Sequence, residues 1–232
     1  MIASVWGEGA ETMASFELLR AYSHFGNPVI GALSEDKLCG VSIGFLAPAG
    51  GLHLHSHITG VSPARQHLGV GFGLKVAQRA WCLDQGITEV TWTFDPLLAR
   101  NAHFNIRKLG AVAGELIPEF YGDMPDALNS GDVSDRLVVQ WPLRSARVEE
   151  ALRRAPGAHD QDQAAPAGPP SPEVARTVQV PDDYHTLRRR YPASAARWRM
   201  KVREELLAAF ANGLQIVDFD AQGRYLLGVA QA

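Results

Sequence analysis

The sequence is poor in the features that usually assign a chain at once. Only two cysteines, Cys39 and Cys82, stand among 232 residues. That is too few for a disulfide framework, and free buried thiols are expected. No apolar run reaches the ~18 residues of a membrane span. The formal charge is −3, so no basic excess points to nucleic acid or to a membrane surface. The start, Met1 to Trp6, lacks the basic and apolar regions of a targeting segment, and a cytoplasmic location is expected. No internal repeat is present. Both familiar phosphate loops are absent too. A P-loop needs G-x-x-x-x-G-K-[ST], whereas Lys75 is followed by Val76. A dinucleotide fingerprint needs a third glycine that Gly69-Val70-Gly71-Phe72-Gly73 does not supply.

Hydrophobic residues at 46% and charged residues at 20% are enough for a soluble globular domain with an appendage. The chain is organised around Val61 to Asp84, where an apolar strand gives way to a helix. Gly69, Gly71 and Gly73 fall at the junction. Without a Cβ they allow a tight bend and close approach of a ligand. The helix that follows begins with unpaired N–H groups and a positive dipole end. Together these make a ready site for phosphate or pyrophosphate.

The flanks read clearly. A helix is expected over 11–25, stopped by Gly26. Strands are expected over 27–33 and 38–46, around a turn at Ser34 to Lys37. A third strand covers 52–59 and runs into the glycine loop. The helix after the loop puts Phe72, Val76, Ala80 and Leu83 on one face and ends at Gly86. Glu89 to Asp95 reads as a strand. Asp95-Pro96 reads as a helix start, with Asp95 as cap and a helix over 97–109 ended by Gly110. Strands are expected at 111–115 and 135–143. Residues 145–173 read as an Ala/Pro-rich linker that opens with a short helix and cannot bury enough apolar surface to order itself. A small α+β appendage follows over 174–232: a strand at 175–181, a short helix at 182–190, a helix at 194–211 and a hairpin at 215–229. The long helix carries Trp198, Val202, Leu206 and Phe210 at spacing four. Such a stripe must be covered, either by the rest of the chain or by a second copy.

Strand, Q-x-x-G-x-G loop, helix, strand, helix is an order that resembles the GNAT superfamily of N-acyltransferases, whose acyl-CoA loop is Q/R-x-x-G-x-G/A. L-H-S-H, V-x-P, W-T-F-D-P-L, R-N-A-x-x-N-x-x-K-L-G-A and S-D-R-L further resemble a bacterial group described as predicted GNAT-superfamily acetyltransferases. The resemblance covers about residues 5–143 firmly. It implies an α/β fold with a mixed sheet over residues 1–144 and CoA-dependent acyl transfer to a small amine or amino acid. Acetyl-CoA is the default donor, with succinyl or another short acyl group open, and no metal is required. A GNAT fold usually has a strand before the first helix, and this chain starts too late for it. The alternatives are a non-catalytic acyl-CoA sensor and an interaction module with a structural glycine loop.

In this chemistry the amine attacks the thioester directly. The protein supplies position, a proton acceptor and stabilisation of the oxyanion. Main-chain groups of Val61, Leu68, Gly69, Val70, Gly71 and Phe72 are the cofactor candidates, with the side chains of Arg65 and Gln66 added. Asn101 and Asn105, four apart on one helical face, are candidates to hold the pantetheine arm. His53, His55 and His57 share one strand face. A histidine suits general-base work, and His57, nearest the loop, ranks before His55. At ~7 Å per step the three are too far apart to share one metal ion easily. Many GNAT enzymes place a tyrosine acid where this chain has Ile106. Tyr121 is the substitute candidate, and Glu119 is a candidate base. Asp135 and Arg136 either brace a turn or bind an acceptor carboxylate, and bracing is favoured.

Overall fold

The structure, a computed structural model, describes residues 2–7, 14–122, 132–154 and 173–229. The chain divides into two compact units, Met1–Trp92 with Tyr121–Val133, and Thr93–Phe120 with Ser134–Ala232.

The first unit is a mixed sheet clad by helices. Its strands are β1 (Val29–Ser34), β2 (Lys37–Ala47), β3 (His53–Val61) and β4 (Glu89–Phe94), in the order β1-β2-β3-β4. The pairs β1/β2 and β2/β3 are antiparallel, and β3/β4 is parallel. Glu35 and Asp36, both at positive φ, close the first hairpin, as a tight hairpin turn requires. The parallel pair needs a crossover, supplied by α3 (Val70–Asp84), which packs on β1, β2 and β3. Helices α1 (Ile2–Trp6) and α2 (Phe16–His24) contribute Ile2, Trp6, Leu19 and Tyr22 to a cluster around Ala14, Val41, Ile43 and Ile58. Ser15 caps α2 by accepting from Leu18 N–H. Residues 11–13, at the start of the expected first helix, lie outside the described ones.

The second unit carries β5 (Val112–Ile117), β6 (Arg136–Pro142), β7 (Arg176–Gln179), β8 (Leu214–Phe219) and β9 (Arg224–Val229), in the order β6-β5-β8-β9-β7. Each resolved pairing there is antiparallel. The segment after residue 173 joins this sheet: β8 pairs with β5 through Ile216 and Ala113. The residues expected as linker from 155 to 172 lie outside the described ones. Before them, α5 (Ala146–Arg153) folds on the unit and Val148 is fully buried. Arg147 donates to the carbonyls of Gly110 and Ile106. A side chain at Gly110, which sits at positive φ, would strike the Arg147 carbonyl.

Two expectations fail in this unit. Asp95 does not cap a helix at 97. Its carboxylate accepts from Leu97 N–H and forms a two-pronged pair with Arg199, both contacts at 2.7 Å. The helix α4 begins only at Ala99, without a side-chain cap, and widens into a π-helix over His103–Lys108. The expected like placement of Asn101 and Asn105 fails as well. Asn101 is exposed and Asn105 is buried.

After α6 (Tyr184–Arg190) comes α7 (Pro192–Ala211), whose buried stripe is Ala195, Arg199, Val202, Leu206 and Ala209, while Trp198 and Phe210 are half-buried. The helix is covered, but its buried face includes a cation.

Candidate functional site

Strands β3 and β4 pair at only two positions, Leu54 with Val90 and His55 with Thr91. Past that point Ser56 would face Trp92, and no further pair forms. From here the two strands no longer bond each other, and backbone groups that leave a ladder take other partners. The strands part towards their C-terminal ends, where β3 enters the glycine loop.

The loop's course follows from its residues. Ser62 N–H donates to the Cys39 carbonyl, and Pro63–Arg65 forms one 3₁₀ turn. The Gln66 amide nitrogen donates to the Val61 carbonyl at 3.3 Å, so this side chain braces the loop. Arg65, half-buried, lies 4.0 Å from the solvated Glu35. His67 and Gly69 take positive φ, and Gly69 is the N-cap of α3. No side chain caps this helix, and no acidic residue lies in its first turn. Its first internal bond runs from Gly73 N–H to the Gly69 carbonyl. Helix geometry leaves Val70, Gly71 and Phe72 N–H without an intrahelical acceptor.

Packing does not demand the glycines. A Cβ at Gly71 would meet only Val61 Cγ2 at 3.6 Å, and one at Gly73 would meet nothing within 4 Å. Glycine inside a helix costs about 1 kcal/mol relative to alanine. Two such positions beside open space preserve room for something outside the chain.

On β3 the register slips by one between Ile43–Ile58 and Gly44–Ser56, so His57 is an unpaired bulge residue. A bulge re-aims side chains and switches which face they share. Before it, His55 stacks beside Phe45 at 5.1 Å between ring centroids. His57 follows at 6.0 Å from the same ring and 6.3 Å from His55. His55 Nδ1 lies 3.1 Å from Thr91 Oγ1. Burial, with the neighbouring His57, His53 and Lys75, pushes the His55 pKa down to about 4. That ring stays neutral and binds a proton weakly at neutral pH. His57 is more open, and burial lowers its pKa as well. His57 is therefore the better proton acceptor of the two. His53 turns aside, with Nδ1 2.9 Å from the Gly51 carbonyl. Among the described residues, no three His, Cys, Asp or Glu side chains converge on a metal position, and no helix is long and apolar enough to cross a membrane.

Sequence reasoning missed Lys75. In a helix it reads as a solvated charge, yet it is 3% exposed. Its ammonium donates to Ser56 Oγ at 2.7 Å and to Gln78 Oε1 at 3.3 Å, and it lies 3.9 Å above the Trp92 ring. Gln78 donates onward to Ser42 Oγ, which lies 3.2 Å from Thr59 Oγ1. Burial brings the Lys75 pKa down to about 7. The only prior signal was its position, five residues past the loop and followed by Gln78 one turn on.

His55, His57, Val61, Arg65, Gln66 and Leu68 to Phe72 thus belong to the first unit, as does the exposed Tyr121. Asn101, Asn105 and Glu119 belong to the second. There Glu119, largely exposed, lies 3.5 Å from Arg203. Asp135 is buried, accepts from Glu119 N–H and pairs with Arg203 at 2.7 Å. The Arg136 guanidinium is buried and donates to the Asp135 carbonyl. These contacts brace the turn into β6.

No family model matches the sequence, and no curated protein matches it. Similar solved structures include a ribosomal-protein-alanine N-acetyltransferase from Brucella melitensis, at 17% identity and TM-score 0.46 over 59% of this chain and 82% of that one. A GNAT family acetyltransferase from Elizabethkingia anophelis with acetyl-CoA bound is similar at 14% identity and TM-score 0.45, over 55% and 83%. Naa20 from Chaetomium thermophilum, in complex with a bisubstrate analogue, is similar at 18% identity and TM-score 0.46, over 59% and 74%.

Proposed function

We propose that the chain is a CoA-dependent N-acyltransferase of the GNAT type, which moves a short acyl group from the thioester to a primary amine. One observation carries this reading. Two parallel strands part beside an uncapped helix start whose glycines keep space that packing does not use. The helix start suits a pyrophosphate. The β3 edge past His55 suits the amide-bearing arm of CoA, whose N–H and C=O groups can pair with main chain there. Val61, Leu68, Gly69, Val70, Gly71 and Phe72 act through the backbone, and Arg65 lends charge at the rim.

His57 stands at the bulge on β3 and takes the proton from the incoming ammonium as the amine attacks. The donor's carbonyl oxygen gains charge at that step, and main-chain N–H groups of β3 beyond Ser56 are placed to stabilise it. Ile106 fills the position where a tyrosine acid is common, so the departing thiolate takes its proton from water or from Tyr121. The acceptor is a small amine, an amino acid or a protein amino terminus.

Calorimetry with CoA tests the binding half of the reading, with micromolar affinity expected. Thiol release from acyl-CoA, screened against amines, amino acids and N-terminal peptides, tests the catalytic half. CoA binding without thiol release on any acceptor would favour a sensor. No binding of CoA would make the glycine loop structural and end the proposal.

A further inference from the structure

Lys75 differs from Arg199, which is buried as deeply and holds a carboxylate. Arg199 and Arg203 each hold one at 2.7 Å. Lys75 contacts only neutral groups: the Ser56 hydroxyl, the Gln78 amide and the face of Trp92. The titratable groups that act on it are Cys82 on its own helix and His55 on β3. Asp84 on α3 and Glu89 on β4 do not pair with it. A buried amine with no counter-charge is costly to keep, and an apolar side chain at that place would be cheaper.

Its position matters as much as its isolation. The last bonded rung between β3 and β4 is His55 with Thr91. The next rung in that register is Ser56 with Trp92, and Lys75 touches both. It therefore sits where the two strands first come apart. On the reading proposed above, the arm of CoA enters between these strands from the glycine loop, and its acyl end points to this rung.

We propose that Lys75 is the counter-charge for the distal carboxylate of a dicarboxylic acyl group, so that the preferred donor is a succinyl-CoA-type thioester rather than acetyl-CoA. Ser56 and Gln78 fix the position of Nζ, and the incoming carboxylate supplies the missing anion. The contact is a charge-assisted hydrogen bond, which is stronger than a neutral one. An acetyl group leaves the amine as it was and gains nothing from it. A neutral acyl group of matching length places a methyl against a polar nitrogen and is rejected for the same reason that hydrogen-bonding sites reject analogues lacking the partner.

The test is calorimetry on the full chain with CoA, acetyl-CoA, butyryl-CoA and succinyl-CoA, for wild type and Lys75→Met. Wild type is expected to bind succinyl-CoA at least tenfold more tightly than butyryl-CoA. At pH 8, succinyl-CoA is expected to bring proton uptake, read from the buffer dependence of the heat, whereas butyryl-CoA brings none. Lys75→Met is expected to abolish the preference and the uptake while binding CoA itself within twofold of wild type. The wild-type comparison decides the matter even if the variant does not fold. Equal affinity for succinyl-CoA and butyryl-CoA in wild type, or a preference that survives in Lys75→Met, would overturn the inference and leave the acyltransferase reading standing. Failure of CoA itself to bind would remove both.

Discussion

The two units treat buried charge in opposite ways. In the second, Arg199 holds Asp95 through two 2.7 Å contacts and Arg203 holds Asp135. Tyr225, fully buried, donates to the Pro96 carbonyl. These groups tie the C-terminal segment to residues far earlier in the chain. In the first unit, Lys75 has no anion, α3 has no cap, and β3 and β4 stop pairing after two rungs. The second unit sets its deeply buried Arg199 against a carboxylate far away in the chain. The first sets the equally buried Lys75 among neutral groups, beside a helix start with no side-chain cap, which is where the proposed acyl-CoA site lies.

The contrast can be broken hardest in the second unit. Arg199→Met leaves the part-buried Asp95 carboxylate with only the Leu97 N–H, a loss of about 3 kcal/mol. The expected readout is a large fall in the denaturant midpoint. Adding Asp95→Asn should return part of that loss, because the stranded charge is then gone. If the single variant unfolds at the wild-type midpoint, the pair is ornamental.

In the first unit the largest effect should be on rate. His57→Ala is expected to lower turnover on the order of a hundredfold, with CoA affinity unchanged. Wild-type turnover from pH 6 to 9 in that variant would move the proton to Glu119 or water.

Gly71→Asp should weaken CoA binding at least tenfold, ~1.4 kcal/mol. The new Cβ has room at 3.6 Å from Val61, so thermal stability should hold while affinity falls. Unchanged affinity by calorimetry would show that this helix start binds nothing.

The smallest expected effect sharpens the comparison without a ligand. Unfolded, Lys75 stays protonated to about pH 10. Folded, it releases its proton near pH 7. Between those values unfolding takes up a proton, so raising the pH favours the folded state. The gain from pH 7 to 8 is about 1 kcal/mol, and it should vanish in Lys75→Met. His55, titrating near 4, and Cys82, pushed up to about 12, do not change charge in that window. A pH-independent difference between the two proteins would mean that folded Lys75 keeps its proton across this window.

What could be read beforehand was what is local in the chain. The glycine loop, the three strands before it and the C-terminal helix and hairpin announce themselves by spacing, because turn chemistry and hydrophobic period act between near neighbours. Asp95-Pro96 has every mark of a helix start, and the partner that overrides it, Arg199, lies 104 residues away. Arg199 and Lys75 read as solvated charges for the same reason: nothing near them in sequence says that they are buried. The bulge at His57 is also silent, since it depends on the count of residues in the strand opposite.

The parting of β3 from β4 has a further consequence for how such a site can be found or lost. Its recognition surface is mostly main chain, and exchanging one side chain for another leaves N–H and C=O groups where they were. Alanine at Leu68, Val70 or Phe72 would therefore pass over it almost unnoticed. Changes that act on the peptide itself are different. Proline at position 72 deletes a donor, and one residue inserted into β3 shifts the edge by a whole step. A cleft of this kind tolerates wide drift in composition and very little in chain geometry.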